Sequence, residues 1–278
     1  MNRKVLFNYL RRAPFGGRLT EAQVKGTEAI LDAFEDRYPD ADERWIANVM
    51  AQVFHETGGV MSPVRETFAS SDREAIRRLD KAFAAGRLGS VSKPYWREGW
   101  FGRGPIQTTH EENYIKIGEA IGVNVHKKPS LLLDPKVGAL AAVVGMVEGV
   151  YTGHKLEQYF NEKKDDPVGA RRIVNGTDKA RLIASYHRNF LDAVKAARKA
   201  PGEVVDVSER GAQPDTVRPV TDPKIWTIIT TFLTGLIGAV TTVSSPWALG
   251  AVGAMTLAGI VIIWLFMSGR VEMLRKPR

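Results

Sequence analysis

The chain has 278 residues, a length that suits one or two domains, with 44% hydrophobic and 25% charged residues, no cysteine and a net charge of +8. The lack of cysteine excludes a disulfide framework and any thiolate metal site. There is no run of five like charges and no nucleic-acid motif, so the basic balance points to an anionic wall or lipid surface and not to nucleic acid.

The opening Met-Asn-Arg-Lys-Val-Leu-Phe-Asn-Tyr-Leu-Arg-Arg is basic, but Arg11 and Arg12 cut the apolar stretch too early for a signal-peptide core, and no cleavable signal is expected. Thr20 with Gln23 three positions on is a capping box, and Val24, Ile30, Leu31 and Phe34 follow at helical spacing until Pro39. A second helix is expected from about Asp42, with Trp45, Ile46, Val49, Met50, Val53 and Phe54 as a wide buried stripe that ends at Gly58-Gly59. Ser71 opens a third through Ile76, Leu79 and Phe83, closed at Gly86. Residues 87–105 read as loop. Tyr114, Ile117 and Ile121 form the next helix, closed at Gly122; Pro135 starts another through Leu140, Val143, Val144 and Val147; a last one runs from Ala180 to about Ala197. Few segments alternate with period two, so the first part of the chain reads as mainly α.

Residues 200–223 hold Pro201, Gly202, Gly211, Pro214, Pro219 and Pro223 among charges and read as a flexible linker. From Ile225 to Gly269 there is no Asp, Glu, Lys or Arg. Two apolar segments, Ile225 to Val243 and Trp247 to Met267, are each near the roughly 20 residues that cross a bilayer, and Ser244-Ser245-Pro246 turns between them. The expected organisation is a catalytic domain over 1–199, the linker, and a transmembrane hairpin with a basic tail over 224–278 that meets a lipid bilayer through residues 225–268. Arg218 and Lys224 before the hairpin, and Arg270, Arg275, Lys276 and Arg278 after it, place both termini on the cytoplasmic side of a bacterial inner membrane.

The chemistry sits in His55-Glu56-Thr57-Gly58-Gly59 and the Arg65-Glu66-Thr67 that follows. Glu56 extends the stripe of Val49, Gln52 and Val53, so a carboxylate stands partly desolvated at a helix end, a setting for a general acid. Glu66 lies past a Gly-Gly turn and a proline, where the chain can double back to face Glu56; spacing alone leaves Asp72 and Glu74 open as rivals. Two carboxyl groups about 6.5–9.5 Å apart admit the water of an inverting glycosidase. In Trp100-Phe101-Gly102-Arg103-Gly104-Pro105-Ile106-Gln107-Thr108-Thr109-His110, with Asn113-Tyr114 beyond, Gln107, Thr109 and Asn113 offer amide and hydroxyl groups to a sugar. Tyr95, Trp96, Trp100, Phe101 and Tyr114 offer apolar faces to sugar rings or, alternatively, an aromatic mini-core beneath a loop.

His-Glu-Thr-Gly-Gly followed by Gly-Arg-Gly-Pro-Ile-Gln and Asn-Tyr resembles glycoside hydrolase family 19, which holds chitinases and phage or prophage endolysins; Ile173-Val174-Asn175-Gly176 and Tyr186 extend the likeness over roughly residues 20–196. The resemblance implies a lysozyme-like helical fold and inverting hydrolysis without cofactor or metal. It makes Glu56 the acid, Glu66 the base and Thr109 a holder of the attacking water. It also implies that Gln107, Asn113 and Asn175 contact substrate and matches Arg181 to a family arginine; His55, Tyr95, Trp96 and Tyr114 join them as candidate substrate contacts. Segment 67–99 departs from the plant enzymes. Peptidoglycan is the leading substrate, because a tail in the membrane would keep the domain near the wall; chitin, a lytic transglycosylase that needs Glu56 alone, and a non-catalytic wall-binding protein are the alternatives.

Overall fold

The computed structural model describes residues 1–89 and 91–200. The linker beyond Ala200 and both apolar segments of the expected hairpin lie outside the described residues. Within those residues, no helix is long and apolar enough to cross a membrane.

Among the described residues, seven α-helices carry the fold: α1 (Arg3–Arg12), α2 (Glu21–Arg37), α3 (Glu43–Glu56), α4 (Asp72–Ala84), α5 (Glu111–Ile121), α6 (Pro135–Glu148) and α7 (Ala180–Lys199). Two short antiparallel pairs among the same residues join them. β1 (Val64–Arg65) pairs with β2 (Arg103–Gly104), placing Val64 opposite Gly104, and β3 (Phe160–Asn161) pairs with β4 (Lys164–Asp165). The mainly helical expectation holds, and the local signals act where the sequence puts them. Thr20 and Gln23 exchange side-chain and backbone bonds as a capping box, Ser71 caps α4, Asp134 caps α6 with Pro135 in its first turn, and Gly122 ends α5 in the left-handed region.

The N-terminal stretch, for which the sequence suggested no element, is helix α1. Asn2 caps it by accepting from the Val5 N–H, and Leu6, Phe7 and Leu10 are buried. Their face packs on α7, and the Asn2 N–H donates to the Ala197 carbonyl at 3.0 Å, so the two ends of the domain are tied together.

The core is built around α3, in which every residue from Ile46 to Val53 is buried. α7 packs on α3, and α2 on α6. Burying this helix on all sides fixes the position of its C-terminal residue, Glu56. α2 then holds the turn that follows: Gln23 Nε2 donates to the Gly59 carbonyl at 3.0 Å, and Gly26 lies so close that an added Cβ would stand 2.0 Å from the Met61 carbonyl oxygen. Thr57 closes the turn from inside, its Oγ1 donating to Val53 O at 2.7 Å and accepting from the Met61 N–H at 3.0 Å.

Candidate active site

On α3, Asn48, Gln52 and Glu56 are spaced by one helical turn each and form a polar line through an apolar helix. Asn48 and Gln52 are fully buried, while the Glu56 side chain is 18% exposed. The line is closed by Arg171, 3% exposed, from the 3-10 turn Gly169–Ile173. Its Nη1 donates to Gln52 Oε1 at 2.8 Å and to Glu56 Oε1 at 2.6 Å, and its Nε donates to Asp178 O at 3.2 Å. Gln52 Nε2 donates in turn to Ala170 O at 3.3 Å. Sequence reasoning missed Arg171 and treated Gln52 as part of the stripe; the available signal was a glutamine one turn before the glutamate, on a face otherwise made of valines. His55 is half-buried beside Glu56. Burial pushes its imidazole below the ordinary histidine range, with the Glu56 carboxylate opposing and Arg171 reinforcing the shift.

Glu66 is held differently. β1 and β2 extend by one more exchange, in which the Glu66 N–H donates to Gly102 O at 2.7 Å and the Gly102 N–H donates back to Glu66 Oε2 at 2.7 Å. The Tyr95 hydroxyl donates to Oε1 at 3.0 Å. Burial first, then the adjacent carboxylate, push the Tyr95 phenol up, so it stays a neutral donor. Gly102 is the crossing point of this half of the site: a Cβ on it would lie 2.9 Å from Gln107 Oε1 and 3.2 Å from Thr109 Oγ1. Thr109 Oγ1 donates to Gln107 O at 2.8 Å, and Asn113 Nδ2 donates to Thr109 O at 2.8 Å. Gln107, in the left-handed region at φ 55°, donates Nε2 to Val64 O at 2.9 Å and Gly104 O at 3.0 Å. The amide nitrogens of Gln107 and Asn113 therefore brace the loop.

The two rivals for the second carboxylate are committed elsewhere. Asp72 takes Arg65 at 2.7 Å and Arg103 at 2.8 Å; desolvation raises its carboxyl, but the two guanidinium groups outweigh it and hold it below the usual range. Glu74 accepts from Ser70 and Arg78 and is held down to about 2.

Two expected sugar contacts are corrected. Trp96 and Tyr114 are fully buried, as is Phe101. Arg103 ties two of them, its guanidinium stacking 3.7 Å from the Phe101 ring centroid and donating to the Tyr114 hydroxyl at 3.0 Å, while that hydroxyl donates to Phe101 O at 2.7 Å. Trp96 Nε1 donates to Asp80 at 3.0 Å beneath the same loop. Trp96 and Phe101 pack with Ala69, Ala75 and Leu79, and Tyr114 with Ile117, Ile121 and Leu132, so none of the three presents a face to a ligand. Asn175 is exposed on the loop after Arg171, its Oδ1 accepting from the Gly176 N–H at 2.8 Å. Arg181 is exposed on the first turn of α7, in a hollow it shares with Arg172 and Lys179.

The described domain is mainly helical and places one carboxylate at the end of α3 and the other just past the end of β1. Residues 22–147 match the family model of glycoside hydrolase family 19, described as chitinase class I. The matched stretch runs from α2 through α6 and contains Glu56, Glu66 and the Gly102–Asn113 loop, and over it the chain is similar to that family. Among solved structures, a mutant of a chitinase C is 22% identical, with 66% of this chain and 95% of that one covered and a TM-score of 0.38. A bacterial family 19 chitinase is 18% identical, with 73% and 97% covered and a TM-score of 0.41. Chitinase C from Streptomyces griseus HUT6037 is 18% identical, with 73% and 78% covered and a TM-score of 0.40.

Proposed function

We propose that the domain hydrolyses β-1,4 bonds between N-acetylated sugars of peptidoglycan, with inversion and without a cofactor. The observation that carries this is the unequal support of the two carboxylates. Glu56 ends a buried helix with a guanidinium on one oxygen, whereas Glu66 sits on a strand end and accepts from a phenol and a backbone N–H. Glu56 delivers a proton from Oε2 to the leaving glycosidic oxygen as the C–O bond breaks. Glu66 takes a proton from the water that attacks the anomeric carbon from the opposite face, and Thr109, packed against the same Gly102, orients that water. His55, next to Glu56 in the chain, and Asn175, exposed on the loop after Arg171, would contact the glycan.

Peptidoglycan is preferred because the chain is basic and ends in apolar segments suited to a bilayer. On this reading the protein is a phage or prophage endolysin of the inner membrane, with both ends cytoplasmic until lysis. Chitin is the second reading, favoured by the description of the matched family. The deciding experiment digests purified sacculi and N-acetylglucosamine oligomers with the full chain and reads the products by mass spectrometry. New reducing ends on sacculi are expected. Anhydro-sugar ends would mean a transglycosylase, and turnover of the oligomers alone would move the assignment to chitin.

A further inference from the structure

Immediately after Glu66 the backbone takes a costly path. Thr67 (φ 62°) and Phe68 (φ 53°) both occupy the left-handed region, and neither is glycine. Such conformations are unfavourable for residues other than glycine and persist where the surroundings enforce them. Here they are enforced. Arg78 Nη1 donates to the Thr67 carbonyl at 2.6 Å, Arg78 Nη2 donates to Glu74 Oε1 at 2.6 Å, and Glu74 Oε2 accepts from the Ser70 hydroxyl at 2.6 Å.

What this braced turn presents is the Phe68 ring, 59% exposed and the most exposed large hydrophobic side chain among the described residues. The ring rests against the other half of the site: a Cβ on Gly58 would stand 3.5 Å from Phe68 Cζ. Gly58 lies two residues past Glu56 and Phe68 two past Glu66, so one exposed phenyl stands between the turns that follow the two carboxylates. Trp96, Phe101 and Tyr114 are buried and cannot serve a sugar; of the other rings, Tyr95 is half-buried with its hydroxyl on Glu66, and Trp100 is half-buried and stacked on His126, so Phe68 is the well-exposed ring beside the two carboxylates. The C–H faces of a pyranose are apolar, and a flat aromatic ring held rigidly in place covers them at little entropic cost.

We infer that Phe68 is the stacking platform for one pyranose ring of the polymer, set between the Glu56 and Glu66 loops. It sets affinity and register along the glycan and takes no part in proton transfer. This rests on the hydrolase reading above.

The test compares full-length wild type with Phe68→Leu, Phe68→Trp and Phe68→Ala. It measures KM and kcat on solubilised sacculi, and the affinity of each variant, made also as Glu56→Gln to block turnover, for an N-acetylglucosamine hexamer. Leucine keeps the apolar bulk against Gly58 but has no flat face; tryptophan keeps the face. Phe68→Leu and Phe68→Ala are expected to weaken binding and raise KM about tenfold, with kcat changed much less and the melting temperature held, and Phe68→Trp to restore both. Phe68→Leu equal to wild type in KM and affinity, while wild type cleaves sacculi, overturns the platform alone. A wild-type chain that neither cleaves sacculi nor binds the hexamer overturns the hydrolase reading and the platform with it.

Discussion

Arg171 reaches Glu56 at 2.6 Å from 115 residues away, and the same nitrogen holds Gln52 at 2.8 Å. A buried cation bound to a carboxylate at the end of a core helix fixes the carboxylate's direction. Removing one partner strands the other in a low-dielectric setting. Arg171→Leu is expected to lower stability by about 3 kcal/mol and to abolish activity, as read by urea denaturation and wall lysis. Arg171→Lys should retain the charge but lose the Asp178 anchor and fall between the two. A leucine variant as stable as wild type would show that the contact contributes nothing to the fold.

Glu56→Gln separates support from chemistry. The amide oxygen still accepts from Arg171, so folding should be kept, while the proton for the leaving group is lost. A fall in turnover of roughly 10²–10⁴ is expected with an unchanged circular dichroism melt. Near-normal turnover would remove Glu56 from its role.

For the second carboxylate the structure separates three candidates. Glu66→Gln is expected to cut turnover at least about a hundredfold. Asp72→Asn should act mainly on stability, since it loosens Arg65 and Arg103, and Glu74→Gln on the turn that holds Phe68. Tyr95→Phe, which removes one donor to Glu66, should cost about tenfold in kcat with little change in KM. A dead Glu74→Gln beside an active Glu66→Gln would reassign the base.

Gly102→Ala tests whether the loop is as tight as it looks. The added methyl meets Gln107 Oε1 at 2.9 Å and Thr109 Oγ1 at 3.2 Å. Displacing both should lower activity sharply while costing about 1–3 kcal/mol of stability. Full activity in this variant would exclude Thr109 from orienting the water.

His187 sets an acid limit on stability. It is buried against Phe160 with ring centroids 5.2 Å apart, and burial pushes its imidazole down to about 4, Asp165 opposing and Arg44, Lys195 and Arg188 reinforcing. Between the unfolded value of about 6.5 and the folded value, the unfolded chain binds a proton that the native one does not. Stability therefore falls as pH drops through that window, by about 3 kcal/mol in total, and this contribution levels off below it. Denaturant midpoints from pH 7 to 4 should show the slope, and His187→Gln should flatten it; an equal slope in the variant would place the titration elsewhere.

How much of this was legible in the sequence follows from the range over which each feature is decided. The capping box at Thr20, the cap at Ser71, the Pro135 start and the Gly122 stop are settled within one helical turn, and the structure keeps all four. The placing of Glu56 at the end of a buried helix was equally local, because the valines at 49 and 53 define the stripe it extends. Helix α1 was not legible, because its apolar face has meaning only against α7 at the far end of the domain. Trp96 and Tyr114 looked like sugar-binding rings because sequence gives their chemistry but not their exposure. Arg103, placed opposite Arg65 by strand pairing, brings its guanidinium to Phe101 and the Tyr114 hydroxyl within the buried cluster. The sequence by itself determined helices α2 to α7 and the place of Glu56 at a helix end, through short-range periodicity, while spacing left Glu66 open beside Asp72 and Glu74. Only the tertiary structure decided which groups hold those glutamates, because Arg171, Tyr95 and Gly102 reach them across 115, 29 and 36 residues, and closing loops of that length is settled by packing and not by local preference.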